Sequence, residues 1–147
     1  VENNADGTAE TNNSGTLTFT SVSAPYADLQ VANISVDPAD LTSGATFTVR
    51  WDDSNTGTKA TGTGWTDVIV IKNLTTGETL ATVNVPYDPA QAGNGEIAGG
   101  TSRARQYTGK LPDGVRGVGQ IQITITTDSN NTVAEFNAAG TAETNNT

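Results

Sequence analysis

Alternation of apolar and polar residues with a period of two runs through this chain, and no segment sustains a helical period. Residues 15–22, GTLTFTSV, set Leu17 and Phe19 on one face against Thr16, Thr18 and Thr20. Residues 28–37 place Leu29 and Val31 in one phase, then Ile34 and Val36 in the other. A bulge near Ala32–Asn33 accounts for that switch. Residues 45–52 alternate cleanly, with Phe47, Val49 and Trp51 inward and Thr46, Thr48 and Arg50 outward. Residues 65–72, WTDVIVIK, are apolar on both faces, as a central strand would be. Further strands are predicted over 78–85, 103–111 and 117–127, the last with Ile121, Ile123 and Ile125 against Gln120, Gln122 and Thr124.

The breaks between these runs carry turn chemistry. Asp37-Pro38, Ser43-Gly44, Thr76-Gly77 and Pro112-Asp113-Gly114 punctuate the pattern, and 86–100 is a long Gly/Ala excursion. About seven short strands at this spacing predict an all-β fold, an antiparallel immunoglobulin-like or fibronectin-III-like sandwich.

Composition narrows the chemistry. The chain has 147 residues, the length of one domain, and lacks Cys, His and Met. Thiolate and imidazole sites are thereby excluded, as is a Ser-His hydrolase. The many Ser and Thr have no base to activate them, and no carboxylate pair flanks a recognisable cleft. Asp52 and Asp53 are adjacent and face opposite sides of a strand. An enzyme is not expected. The formal net charge of −9 argues against nucleic acid and anionic membrane surfaces as partners. No apolar run reaches the length of a membrane span, and no leader pattern opens the chain. An acidic, cysteine-free chain rich in Thr, Asn and Gly suits a bacterial exported protein, extracellular or at the cell surface, and its opening at Val1 suggests a segment of something longer.

One feature frames the organisation. Residues 7–13 read GTAETNN and so do residues 140–146, an offset of 133. Glu2, Asn4 and Ala5 recur as Glu135, Asn137 and Ala138. A tandem array of that period follows.

The segments ADLQVANISVDP, ATFTVRW before an Asn-Thr-Gly turn, and ITTDSNNTVAEFNAAGTAETNN resemble the CARDB family, the cell adhesion related domain in bacteria. The resemblance covers about residues 27–147, and residues 1–26 look like the end of a preceding copy. It implies an immunoglobulin-like sandwich, arrayed in large surface or secreted proteins with adhesive roles. In that family a final strand follows the Glu-x-Asn-Asn loop. Here the matching strand is 15–22, after the first GTAETNN. The expectation is that Leu17, Phe19 and Val22 complete a neighbouring sandwich along Ile121, Ile123 and Ile125, head to tail, by strand addition. The link from Ser23 to Ala27 is too short to let the strand fold back.

The loop 128–146 gathers hard oxygen donors: Asp128, Asn130, Asn131, Glu135, Asn137, Glu143, Asn145 and Asn146. Calcium is the cation such donors suit. The competing reading is that Asp and Asn cap turns. The first copy offers Glu2, Asn4, Asp6, Glu10, Asn12 and Asn13. Trp51 is expected in the core, and Trp65 is divided between core and a sugar-binding surface. Arg103, Arg105 and Arg116 form a cationic group suited to a neighbouring module's acids. Lys59, Lys72 and Lys110 raise an isopeptide link to asparagine. Two function classes follow. One is a structural repeat of a fibre or adhesin, its partners being copies of itself and its adhesive target unknown. The other is a carbohydrate- or protein-binding module acting through loops 53–65 or 88–102.

Overall fold

The computed structural model describes residues 3–11 and 13–147, with Glu10 by its backbone alone. Among the described residues six strands form two antiparallel three-stranded sheets: β1 (Leu29–Asp37), β2 (Thr46–Asn55), β3 (Trp65–Asn73), β4 (Glu78–Tyr87), β5 (Thr101–Lys110) and β6 (Ile121–Thr126). One sheet has the order β1-β2-β5 and the other β4-β3-β6. The all-β sandwich is as the alternation predicts.

The periodicity sets the core. Phe47, Val49 and Trp51 of β2 meet Ile69 and Ile71 of β3, Ile125 of β6, and Leu111. Each buried side chain of this size contributes about 1.5–3 kcal/mol. A second cluster at one end joins Ala27, Leu29, Trp65, Tyr87, Ile97 and Val133. Trp65 is buried there, stacked on Tyr87 at 4.3 Å. Its indole is a core element and not a sugar platform.

The bulge in β1 falls between Ala32 and Ser35, with Asn33 at φ 54°. Asparagine tolerates that left-handed backbone better than most residues. Val36 regains the inward phase opposite Val49, while Ile34 stays on the bulge, half exposed. Two other strand limits differ from the pattern. Residues 114–117 form a 3₁₀ turn, so β6 begins only at Ile121, and β5 starts at Thr101. Gly114 and Gly119, both at positive φ, break the extended run before β6.

The long excursion 88–100 is tied down. Asn55 Nδ2 donates to Ile97 O at 2.9 Å and Lys59 O at 2.8 Å, and Tyr87 Oη donates to Gly95 O at 2.7 Å. Gly99 passes so close to Gly57 and Thr58 that a Cβ would lie 2.7 Å from Gly57 O.

Among the described residues β6 has one paired neighbour, β3. Its other edge is open from Ile121 to Ile125. Residues 15–22 form no regular secondary structure and join neither sheet. Leu17 and Phe19 are 86% and 80% exposed, and Val22 is 86% exposed.

Candidate functional site

Two polar assemblies stand out, one inside the sandwich and one at its end. The inner one begins from a short repeated pattern, Trp51-Asp52-Asp53 on β2 and Trp65-Thr66-Asp67 on β3. Two residues apart on a strand, the indole and carboxylate share a face. Each Trp Nε1 donates to the aspartate two positions on, both at 2.9 Å. Arg105 of β5 enters between them: Nη1 lies 2.8 Å from Asp53 Oδ2 and 3.1 Å from Asp67 Oδ2. Its guanidinium lies 4.8 Å from the Tyr87 ring centroid and 5.8 Å from that of Trp51.

Both carboxylates are fully buried. Burial first, and then the charge of Asp67, push Asp53 up to about 7 against the pull of Arg105. Burial also raises Asp67. Asp67 Oδ2 has an ion pair but no hydrogen-bond donor. One proton retained by the two acids would supply it. The sequence assigned Arg105 to an outward-facing cationic group. The structure instead places it inside the chain's own core, where β5 alternates it inward opposite Trp51. Arg116 pairs on the surface with Glu78 of the same chain. Arg103 donates to the carbonyls of Gly93 and Asn94. The pairing of Asp53 with Asp67 was missed, though the doubled Trp-x-Asp spacing signals it. Lys110 lies exposed against Asp113 at 3.3 Å.

The second assembly is the loop 128–147. Asp128 caps its own turn, with Oδ1 accepting from Thr132 N and Oδ2 from Val133 N, both at 2.9 Å. Glu135 is buried. Its Oε1 accepts from Leu29 N and its Oε2 from Asn146 Nδ2 at 2.9 Å. Burial raises its carboxyl to about 7. Glu143 Oε1 accepts from Glu135 N at 3.0 Å. Asn137 and Asn145 both donate through Nδ2 to Asp28, at 3.2 Å and 3.1 Å. Asn130 lies apart and exposed, its Oδ1 accepting weakly from Thr66 N. Of the predicted donors, Glu143 thus meets Glu135, while Asn137 and Asn145 meet at Asp28, which was unforeseen.

These contacts bear on a cation. Calcium needs six to eight oxygens turned toward it. Here carboxylate oxygens of Asp28, Asp128, Glu135 and Glu143 already accept N–H groups. Among the described residues no group of three or more acids is set to hold a metal ion. The donors as placed form a hydrogen-bonded clasp in which these carboxylate oxygens are already engaged.

The two GTAETNN copies share that clasp's inner bonds. Thr8 N donates to Asn4 Oδ1 at 2.9 Å, and Thr141 N to Asn137 Oδ1 at 3.0 Å. Asn4 Nδ2 reaches Thr8 Oγ1 at 3.1 Å, and Asn137 Nδ2 reaches Thr141 Oγ1 at 3.2 Å. Thr11 Oγ1 donates to Thr8 O, and Thr144 Oγ1 to Thr141 O. Gly7 and Gly140 both take φ 70°, which residues with a Cβ seldom adopt. Of the first copy's candidate donors, Glu2, Asn12 and the Glu10 side chain lie outside the described residues. Asn146 and Thr147 then reach the end of β6. Thr127 N donates to Asn146 O at 2.9 Å, and the Thr126 and Thr147 hydroxyls are 3.1 Å apart.

Comparisons with known proteins agree with this architecture. A search of curated proteins finds no match. Among solved structures, the chain is similar to the CARDB domain of the PF1109 protein from Pyrococcus furiosus, crystallised in complex with di-metal ions. Sequence identity is 17%, with a TM-score of 0.53 over 81% of this chain and 89% of that one. At that identity the likeness speaks for the fold. No helix among the described residues is long and apolar enough to cross a membrane. The CARDB family model matches residues 26–147; the chain belongs to the CARDB family of adhesion-related, immunoglobulin-like modules, which occur typically in surface or extracellular proteins.

Proposed function

We propose that the chain is a structural repeat of a large extracellular fibre or surface adhesin, not an enzyme, in which modules join head to tail by strand complementation. Residues 1–26 form the end of one repeat, and 27–147 form a sandwich that takes its last strand from a neighbour. The supporting observation is a matched pair of unsatisfied parts: an open β6 edge, and the unpaired segment 15–22, with Leu17, Phe19 and Val22 exposed, beyond a copy of the loop that ends beside β6. Exposed edges of this kind draw other chains to them. Sedimentation velocity tests the reading. The full chain is expected to form concentration-dependent oligomers, and residues 23–147 to remain monomeric. A full chain that stays monomeric at high concentration refutes it.

Two observations favour subsidiary readings. Tyr26 and Phe136 form an exposed aromatic pair, 5.6 Å between centroids, beside a cavity bordered by Asp28 and Asn137. This is a better candidate than loop 88–102 for a carbohydrate- or protein-binding surface. Saccharide titration with Phe136→Ala as control tests it. Calcium on 128–146 draws support from the buried amide oxygens of Asn145 and Asn146, which lack hydrogen-bond partners, and from the di-metal ions of the similar structure. The engaged carboxylates weigh against it. A calcium titration that raises Tm by several degrees would establish the ion.

A further inference from the structure

The open edge and the free strand can be aligned residue by residue. We propose that residues 15–22 of a second copy add antiparallel to β6 in one register, with Gly15 opposite Ile125, Leu17 opposite Ile123 and Phe19 opposite Ile121. This inference rests on the strand-complementation reading and makes it specific.

The first contacts are already present. Asn146 faces Thr127 through a backbone hydrogen bond, and Thr147 faces Thr126 through their hydroxyls. These two contacts share one antiparallel register. The repeat equates Asn13 with Asn146 and Ser14 with Thr147, and both loops hold the same internal bonds. Continuing that register carries the strand after Ser14 down β6. Thr127 N–H points to the open side, so alternate residues Ile125, Ile123 and Ile121 turn their N–H and C=O groups the same way. Each such residue exchanges two bonds with its opposite, giving about six new hydrogen bonds.

Side chains fit the same register. Directly opposed residues share a face. Ile121, Ile123 and Ile125 face the core with Ile69 and Ile71. Ile125 is only 1% exposed, and glycine stands opposite it. Ile121 and Ile123 are only partly buried, and they receive Phe19 and Leu17. Beside Ile121 lies an open cavity of about 530 Å³ bordered by Leu41, Leu111 and Val118. Phe19 arrives at its edge. A slip of two residues in one direction would press Leu17 onto the covered Ile125, and in the other would leave Phe19 beyond the end of β6. On the outer face, Thr16 meets Thr124 and Thr18 meets Gln122.

The donor must be another copy. In this register Val22 falls opposite Val118, past the far end of β6. Ala27 bridges Glu135 at the near end. The distance along β6 is about 30 Å at 3.4 Å per residue. Five residues of chain span at most about 18 Å.

The chain has no cysteine, so paired cysteines report register directly. Thr18 and Gln122 form a pair that shares no backbone hydrogen bond, whose Cβ spacing suits a disulfide. The full chain carrying Thr18→Cys with Gln122→Cys is expected to give a ladder of linked chains on non-reducing electrophoresis after mild oxidation. Thr18→Cys with Thr124→Cys, or with Gln120→Cys, is expected to give at least tenfold less. A stronger ladder from either control overturns the register while leaving complementation standing. No ladder from any pair, in a chain that sedimentation shows to assemble, overturns the β6 edge as the acceptor. No ladder and no assembly overturns both.

Discussion

At the centre of the sandwich Arg105 closes two carboxylates and two indoles into one network, whereas along β6 the backbone of Ile121, Ile123 and Ile125 faces solvent. Both regions come from the same alternation of inward and outward residues. The difference lies in where their partners sit along the chain. β2, β3 and β5 bring Trp51, Asp53, Trp65, Asp67 and Arg105 together within one fold. The strand that suits β6 is 15–22, held on the wrong side of a short link. Stability inside the module and cohesion between modules are thus separate properties, and substitutions should divide them.

The largest effect is expected at the centre. Arg105→Met leaves two buried acids without their cation and should lower unfolding free energy by about 3–5 kcal/mol, measured by urea denaturation. A loss below about 1 kcal/mol would mean the acids are fully protonated and independent of Arg105. At the edge, residues 23–147 followed by a second copy of 15–22, so that Gly15 succeeds Thr147, should gain about 2–4 kcal/mol over 23–147 alone. The gain comes from burying Leu17 and Phe19, and the product should be monomeric by sedimentation. No gain would mean the edge does not accept this strand.

The acid pair adds a pH signature that the edge lacks. Asp53 is raised from 3.8 to about 7, and Asp67 is raised as well. Below pH 4 both folded and unfolded states hold the proton. As pH rises toward 7 the folded state keeps a proton that the unfolded state has released, so stability falls across that window and levels off above it. A decline of about 1–2 kcal/mol between pH 4.5 and 7.5 is expected, less than the full 1.36 kcal/mol per unit because the pair is coupled. Glu78, lowered by Arg116, acts in the opposite sense but is exposed. Asp53→Asn should reduce the slope, leaving the part due to Glu135, which burial also raises to about 7, while Leu17→Asp should leave the profile unchanged.

The smallest effect concerns the loop. Asn137→Ala removes the bonds to Thr141 and Asp28 and should cost about 1 kcal/mol in thermal melts. The equivalent Asn4→Ala removes bonds to Thr8 alone and should cost less.

The division between centre and edge was only partly legible in the sequence. Period two identified the strands of both sheets and the bulge at Asn33, because an alternating face must be buried as a unit. The core role of Trp51 followed from its phase with Phe47 and Val49. Trp65 did not follow, since its burial depends on Tyr87 and Ile97, which reach it from β4 and the long excursion. Arg105 was read as surface because composition treats charge as exposed; its burial rests on two aspartates distant in sequence. The loop 128–146 was legible as a cluster of polar donors. Its geometry was not, because Asp28, the group that organises Asn137 and Asn145, lies about a hundred residues earlier. The duplicated GTAETNN is plain in the sequence, whereas the matching Asn–Thr bonds within the two copies arise only in the fold.

The ends at which the chain meets β6 have a mechanical consequence. An added strand would enter beside Thr127 and depart past Ile121, while β1 starts at the entry end, where Ala27 meets Glu135. Tension between Ala27 and the departing strand would run along the strands, across the hydrogen-bonded rungs. The rungs would then resist together in shear instead of unzipping singly, which is how a cable withstands load.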